Sequence, residues 1–493
     1  MTFNTSKTTA ISVNVGVSFV STGNAQENAT SDAPSVDFAS SLTQAHNLWD
    51  TSLSAIKIAG GTAEQEATFY TALYHSLLQP NIFSDANGQY IGFDRLVHKV
   101  AAGHAQYANY SGWDIYRSEI QLVSLLAPDK ASDIVQSMVN DYTQGGLLPK
   151  WSQANGESFV MVGDPSDAII SSAYAFGATN FDTKSALAAM IKDATTTNDD
   201  RPGLNYLETL GYEPSDGSYG CCDFYGAAST TLEYNTADFS IGSFAQALGD
   251  TADYQKFTTR AQDWENLFNP STGYLEPRNA NGSFEAGFNP SSQSNWVEGN
   301  GAQYNWMVPF NLSGLFAAFG GNAKATQRLD TFFTQTNAGP DQPYAFLGNE
   351  PTLETPWEYD YLGAPYKTQN IVRQVEDTLY STGPGGLAGN DDLGEMSSWY
   401  VFAALGMFPE TPGTANLALG SPLFTSATVQ RDSGQTIQIN APQASISTPY
   451  VQSLTVNGTA STKPWLPASF IASGGTLDYT LSDTANTTWG SSS

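Results

Sequence analysis

The chain has 493 residues, with 19 basic and 48 acidic side chains and a formal net charge of −29. A protein this acidic repels nucleic acid and anionic membrane surfaces, so we exclude both as partners. Its length predicts one large domain and at least one smaller one. It contains no apolar run of about 18 residues that would predict a membrane span.

The composition also indicates a compartment. No signal peptide opens the sequence, lysine is scarce, and Asn, Thr, Ser and Gly are abundant, which is typical of secreted bacterial proteins. We therefore expect a secreted or cell-surface protein whose leader is absent from this sequence.

An alternating apolar pattern opens the chain. Its members are Ile11, Val13, Val15, Val17 and Phe19. Alternation with mostly polar neighbours predicts a half-buried β-strand. Because one strand is not stable alone, we expect it to be the end of a β domain over residues 1–35 whose other strands are mostly absent, or to pair with a distant strand.

From about residue 36 to residue 413 the apolar residues recur at helical spacing. The clearest stripes, each closed by a helix-ending residue, are residues 69–78 before Pro80, residues 134–142 before Gly145-Gly146, and residues 239–248 before Gly249. Repeated helices joined by long loops predict a helical toroid with its functional site at one end.

After Gly413 the apolar period changes to two, which predicts a β module over residues 414–493. Residues 427–431 and 437–439 flank Asp432-Ser433-Gly434 and predict a hairpin. A second turn is predicted at Asn457-Gly458, and residues 477–481 predict a further strand. One interpretation is that this module shares a sheet with the strand at residues 11–19.

The stretch from residue 389 to residue 412 reads GNDDLGEMSSWYVFAALGMFPETP. Asp391 and Asp392 precede a predicted buried helix that we expect to end at Pro409. Its apolar positions are Met396, Trp399, Tyr400, Ala403, Ala404 and Met407. A position near the positive end of a helix favours ionised carboxylates, so we expect both aspartates to stay charged.

Glu298 differs from most acids of the chain because Trp296, Tyr304 and Trp306 surround it in sequence. Apolar neighbours raise a carboxyl pKa by desolvation, and a general acid needs a raised pKa at neutral pH. One protonated acid and one ionised acid form the pair that hydrolyses a glycosidic bond. The alternative interpretation of these residues is that they form structural turns.

Histidine and cysteine offer little other chemistry. The four histidines, His46, His75, His98 and His104, lie in the first quarter of the chain, away from the acidic motifs. This position argues against a Ser-His-Asp triad and against a zinc site with histidine ligands.

The two cysteines, Cys221 and Cys222, are adjacent and predict no disulfide framework. They form either a vicinal disulfide or, as we favour, two buried thiols.

Several long motifs, in this order, resemble glycoside hydrolase family 92, the calcium-dependent exo-acting α-mannosidases. They are FYTALYHSLLQPNIFSD (69–85), GWDIYR (112–117), TLEYNTADFSIGSFAQALG (231–249), NLFNPSTGYLEPRNANGSF (266–284), WVEGNGAQYNWMVPFN (296–311), GNEP (348–351) and GNDDLGEMSSWYVFAALGMFPETPG (389–413). The resemblance implies an (α/α)6 toroid at residues 36–413, preceded by a β-sandwich that is mostly missing here.

The resemblance also implies an inverting mechanism on a terminal α-mannoside of a glycan. Glu298 matches the general acid and Asp392 the base that activates water, with Asp391 as its neighbour or stand-in. A Ca²⁺ ion is implied, and the GNEP turn and the Asp391-Asp392 loop, with Asp391 as the named ligand, are the candidates to bind it. The residues that match the terminal-sugar pocket are Trp113, Asp114, Arg117, Asn349 and Glu350.

Three positions depart from the family pattern. Glu395 stands where glutamine is common, Ile120-Gln121 where His-Pro is common, and Asn349 where many α-1,2-specific members carry histidine. These departures leave the linkage open. Two other functions also stay open, a non-catalytic mannose-binding protein and a toroid hydrolase of other specificity, acting on glucosides or mannosyl phosphates.

Overall fold

A computed structural model of the protein describes residues 2–4, 6, 10–33, 37–219 and 226–491. The expectation for Cys221 and Cys222 falls outside the described residues. The described chain is mainly helical, as predicted, and its longest strands lie in the C-terminal part. No helix among the described residues combines the length and the apolar character that crossing a bilayer would require.

The α-helices are α1 (Thr22–Asp32), α2 (Phe38–Leu53), α3 (Ala63–His75), α4 (Gly112–Ile115), α5 (Glu119–Leu126), α6 (Pro128–Gly145), α7 (Pro165–Ala175), α8 (Thr183–Asp193), α9 (Leu204–Leu210), α10 (Ala227–Leu248), α11 (Thr251–Arg260), α12 (Gly301–Tyr304), α13 (Leu312–Ala318), α14 (Asn322–Phe332), α15 (Pro365–Thr378), α16 (Glu395–Leu405) and α17 (Ala468–Ser473). Short 3-10 helices lie at Ala261–Leu267, Pro309–Asn311, Glu350–Thr352 and Thr355–Asp360.

The strands are shorter. They are β1 (Ile56–Ala59), β2 (Asn81–Ile82), β3 (Gln89–Ile91), β4 (Val97–Lys99), β5 (Tyr107–Ala108), β6 (Ser152–Gln153), β7 (Gly156–Glu157), β8 (Phe268–Asn269), β9 (Tyr274–Leu275), β10 (Met407–Phe408), β11 (Leu417–Leu419), β12 (Ser426–Gln430), β13 (Thr436–Asn440), β14 (Tyr450–Val456), β15 (Thr459–Ser461), β16 (Trp465–Leu466) and β17 (Gly475–Ser482).

The helices pack mostly against neighbours in the chain, and the last long helix closes onto the first ones. α6 contacts α5 and α7, and α10 contacts α7 and α11, while α16 contacts α3, α5 and α15. The three predicted apolar stripes are confirmed as α3, α6 and α10, and glycines at residues 146 and 249 end the latter two. α3 begins with a capping box in which Thr62 and Gln65 satisfy each other's backbone amides.

α16 differs from its prediction in two ways. All its residues are buried, so it has no single apolar face. It ends at Gly406, not at Pro409, because Gly406 adopts a left-handed φ of 77° that stops the helix. Met407 therefore lies in β10, paired with Leu419 of β11.

Five C-terminal strands and β1 form a six-stranded sheet in the order β1-β12-β13-β17-β14-β15. The predicted hairpin is confirmed, with Val429 opposite Ile437. The Asn457-Gly458 turn between β14 and β15 is also confirmed, with φ of 51° and 76°, the left-handed pair of a type I′ turn. β13 and β17 pair in parallel.

The predicted N-terminal strand is wrong. Residues 10–18 form no strand, and Val13, Val15 and Val17 are at least 70% exposed. A strand needs a partner edge, and among the described residues no strand pairs with this segment. It lies against α1 instead, where Asn14 Nδ2 donates to the carbonyl of Ala29 at 3.0 Å.

The sheet takes its N-terminal partner from a different place. β1 pairs antiparallel with β12 and joins the sheet of the C-terminal module. β1 lies inside the segment predicted as the catalytic domain, residues 36–413, so the chain contributes to the module from both sides of the helices. The predicted boundaries at residues 35 and 413 stay predictions.

Candidate active site

Three acids from distant parts of the chain meet at one place. Carboxylate oxygens of Asp114, Glu350 and Asp392 all lie within 4.8 Å of one another. Asp114 belongs to α4, Glu350 begins a 3-10 helix, and Asp392 lies in the loop before α16. We call these three residues the acid cluster.

Local backbone geometry places each acid. α4 approaches the neighbouring loop closely at Gly112. A Cβ at this position would lie 2.7 Å from the carbonyl oxygen of Lys150, so the approach requires glycine. Pro351 stands in the first turn after Glu350, where its missing amide costs nothing. Asp392, Leu393 and Gly394 have left-handed φ of 44°, 58° and 95°. This tight turn fixes the direction of Asp392 just before α16.

Few neighbouring groups compensate for the negative charge of the acid cluster. Burial, reinforced by the charges of neighbouring acids, raises the pKa of Asp114 and of Glu350 well above their ordinary values, and the positive charge of Arg117 opposes both shifts. Neither oxygen of Glu350, nor Oδ2 of Asp114, has a hydrogen-bond partner among the described residues. Buried carboxylates in this state require protons or a cation.

Glu298 lies on the loop before α12, and its side chain is exposed. Its backbone has a left-handed φ of 52°, and Asn349 Nδ2 donates a 2.6 Å hydrogen bond to its carbonyl oxygen. Partial loss of hydration raises the pKa of Glu298, and the charge of Asp392 raises it further. The predicted direction of this pKa shift is confirmed.

The pKa of Asp392 is shifted upwards. Burial of the half-buried side chain raises this pKa, the charge of Asp391 raises it further, and the neighbouring Glu350 side chain opposes the shift. That Asp392 stays ionised, as its position before a helix predicted, stays a prediction.

Comparison with known proteins identifies the scaffold that carries these acids. The model of the glycosyl hydrolase family 92 catalytic domain matches residues 24–483. The chain belongs to glycoside hydrolase family 92. The similarity covers α1 to β17 and both loops that carry Glu298 and Asp392, as the sequence motifs predicted.

Solved structures and a curated relative agree with this family. The family 92 α-mannosidase BT3965 from Bacteroides thetaiotaomicron matches with a TM-score of 0.89 and 31% identity, over 95% of this chain and 62% of that chain. The inverting mannosidase BT2199 of the same organism matches at 0.88 and 29%, over 96% and 67%. An uncharacterized secreted glycosidase of Arthroderma benhamiae is 25% identical, over 98% of this chain and 62% of its own length. The predicted helical toroid with a β module is confirmed.

In this family 92 chain Asp391 is bound by residues outside the acid cluster. Its Oδ1 accepts hydrogen bonds from the amide and the hydroxyl of Ser397, at 3.1 and 2.6 Å. Its Oδ2 lies 3.6 Å from Nδ1 of His75, a residue of α3. The same His75 nitrogen also lies 3.4 Å from Ser397 Oγ, so these residues do not form a serine triad, which needs both imidazole nitrogens. The metal and catalytic roles of Asp391 stay predictions.

Trp113 and Arg117, predicted to line the sugar pocket, are at most 1% exposed. Arg117 stacks over the Trp113 ring at 4.9 Å and forms ion pairs with Glu233 and Glu354, at 2.8 and 3.5 Å. Sequence reasoning missed Glu233. The only available signal was an acid on the buried helix of the TLEYNTADF motif, where an unpaired charge is costly.

Proposed function

We propose that this chain hydrolyses terminal α-linked mannose from glycans with inversion at the anomeric carbon. The observation that carries the proposal is the acid cluster, in which Asp392 lies within 4.8 Å of Asp114 and Glu350, together with the 2.6 Å hydrogen bond by which Asn349, the neighbour of Glu350, holds the loop of Glu298. Two relatives support the sugar and the outcome, since BT3965 is an α-mannosidase also solved in complex with mannoimidazole, and BT2199 is an inverting mannosidase.

In the proposed reaction Glu298 donates its proton to the glycosidic oxygen as the bond to the anomeric carbon breaks. Asp392 takes a proton from a water molecule that attacks that carbon from the opposite face. The products are the shortened glycan and mannose of inverted configuration, with Glu298 ionised and Asp392 protonated. Exchange with solvent resets both groups.

We further propose that the acid cluster binds Ca²⁺. Calcium prefers several hard oxygen ligands, and the unpartnered oxygens of Glu350 and Asp114 meet that demand. When bound, the ion would hold sugar hydroxyls and favour the distorted ring. Its charge would also keep Asp392 ionised, which a base requires. Asn349 and the acid cluster would thus surround the terminal sugar.

The location of the enzyme is part of the proposal. We infer a secreted or cell-surface enzyme, in keeping with the fungal relative named as a secreted glycosidase. The chain spans 62% of the length of that relative, so the activity of the whole protein is inferred.

The test is incubation with α-1,2-, α-1,3-, α-1,4- and α-1,6-mannobiose, with and without EDTA, followed by ¹H NMR of the first product. We expect release of β-mannose from at least one disaccharide, loss of release in EDTA, and recovery on adding Ca²⁺. Initial release of α-mannose would contradict inversion. Mannose binding without turnover would select the non-catalytic alternative, and hydrolysis of aryl glucosides alone would select another specificity.

A further inference from the structure

Glu233 is a buried acid that organises the GWDIYR motif. It lies in the middle of α10 and is 3% exposed. Its Oε1 accepts hydrogen bonds from Trp113 Nε1 at 2.7 Å and from Arg117 Nη2 at 2.8 Å, and its Oε2 accepts one from the Tyr116 hydroxyl at 2.8 Å. All three donors belong to one short segment, and Asp114 of the acid cluster lies among them.

Arg117 is fully engaged by the protein. Its Nε donates to the carbonyl of Trp113 at 3.3 Å, and its guanidinium lies over the Trp113 and Tyr116 rings at 4.9 and 4.6 Å. With Nη2 on Glu233 and Nη1 near Glu354, the guanidinium is paired with two acids that are not members of the acid cluster. A cation released from these contacts would be drawn to the neighbouring carboxylates.

The same helix also holds the loop of the proton donor. Ser229 lies one turn before Glu233 on α10, and its Oγ accepts a 3.1 Å hydrogen bond from the amide of Val297, the residue before Glu298. Gly163 also packs closely on Glu233, since a Cβ at position 163 would lie 2.8 Å from Cβ of Glu233. One face of α10 therefore contacts both halves of the site.

We propose that Glu233 is a positioning residue that fixes Trp113 and Arg117 and so keeps the acid cluster free to bind a divalent cation and the terminal sugar. The inference rests on the proposed function for its catalytic consequence. Its structural consequence, cation affinity, is independent of turnover. Glu233 itself touches neither the sugar nor the reacting atoms in this proposal.

The test compares Glu233→Gln with Glu376→Gln. The control breaks a matched pair, since Glu376 is buried and lies 2.7 Å from the buried Arg373 in α15. Ca²⁺ affinity is measured by calorimetry. The values of kcat and KM are measured on an aryl α-mannoside, and folding is measured by thermal melting. We expect Glu233→Gln to weaken Ca²⁺ binding and to lower kcat/KM, each ~10–100-fold. The control should lower the melting temperature only.

Tyr116→Phe provides the second variant, for the case in which Glu233→Gln does not fold. It removes only the hydroxyl that binds Glu233, and we expect a several-fold loss of kcat/KM and of Ca²⁺ affinity that Tyr400→Phe, in α16, does not reproduce. The inference would be overturned if Glu233→Gln kept the wild-type Ca²⁺ affinity and kcat/KM. If Glu233→Gln does not fold, the same result in Tyr116→Phe would overturn it. If the wild type released no mannose, the proposed function would fail, while the Ca²⁺ titrations would still decide the role of Glu233.

Discussion

Asn349 Nδ2 donates a 2.6 Å hydrogen bond to the backbone carbonyl oxygen of Glu298. The bond joins the GNEP turn to the loop of the proposed proton donor. Glu298 has a left-handed φ of 52°, a conformation that costs a residue with a side chain ~1–2 kcal/mol. Asn349 thus compensates for backbone strain at the position where the orientation of the acid matters most.

Asn349→Ala should therefore lower kcat/KM by ~10-fold or more, because the Glu298 loop can relax from its productive geometry. The measurement is steady-state kinetics on an aryl α-mannoside together with thermal melting. Asn486→Ala is a suitable control, since Asn486 Nδ2 also donates to a backbone carbonyl, that of Gln452, but in the C-terminal module. Equal kinetics for both variants would show that Asn349 does not hold the acid.

Glu298→Gln should lower kcat by ~10²–10⁴-fold on substrates with poor leaving groups, which is the usual contribution of a general acid. A 2,4-dinitrophenyl mannoside needs little protonation of its leaving group, so its hydrolysis should fall much less. Ca²⁺ affinity should stay within ~3-fold of the wild type, since Glu298 is outside the acid cluster. An equal loss of rate on both substrates would argue against the acid role.

Substitutions of Asp391 and of Glu350 should have different effects on Ca²⁺ affinity. Asp391 is bound to Ser397, whereas Glu350 is buried with unpartnered oxygens. We expect Glu350→Gln to weaken Ca²⁺ binding at least ~10-fold, because a direct ligand matters at least as much as an outer-shell partner. Asp391→Asn should retain affinity and lose stability instead. The reverse result, by calorimetry, would restore Asp391 as the ligand.

Arg431 should be a major contributor to the junction between helices and sheet. This residue is 4% exposed, and its guanidinium donates to the backbone carbonyls of Leu125, Phe176 and Ile471 at 2.9, 2.5 and 2.5 Å. Arg431→Ala leaves these carbonyls unpaired, at ~1–3 kcal/mol for each that water does not reach. Urea denaturation should show a loss of at least ~2 kcal/mol, which the exposed substitution Lys184→Ala should not produce.

Glu213 should make the free energy of unfolding decrease as pH rises. Burial raises the pKa of Glu213 from 4.5 to about 9, so between these values the folded state holds a proton that the unfolded state releases. The contribution of this proton is complete below the unfolded pKa and is lost as pH rises through the folded pKa. Glu213→Gln should therefore raise the melting temperature at pH 9 relative to the wild type and change it little at pH 4. An identical pH profile in both proteins would contradict the shift.

The sequence by itself determined the local elements and the chemistry available to them. The stripes of α3, α6 and α10 and the hairpin of β12 and β13 follow from apolar period and turn residues, which act over a few neighbours. Ordered motifs also determined the family, and they predict Glu298 and Asp392 as its two catalytic acids. An alternating pattern was insufficient at residues 11–19, because a strand also needs a partner edge that local sequence does not specify.

Only the tertiary structure decided which side chains meet. Asp114, Glu350 and Asp392 lie close together in the fold. In the sequence Asp114 is more than a hundred residues from the other two acids, and Glu350 and Asp392 are 42 positions apart. Packing also directed Asp391 to Ser397, buried Glu233 beneath the GWDIYR motif and raised the pKa of Asp392. These outcomes depend on distances across the fold and on the exclusion of water, and neither quantity has a local signature in the chain.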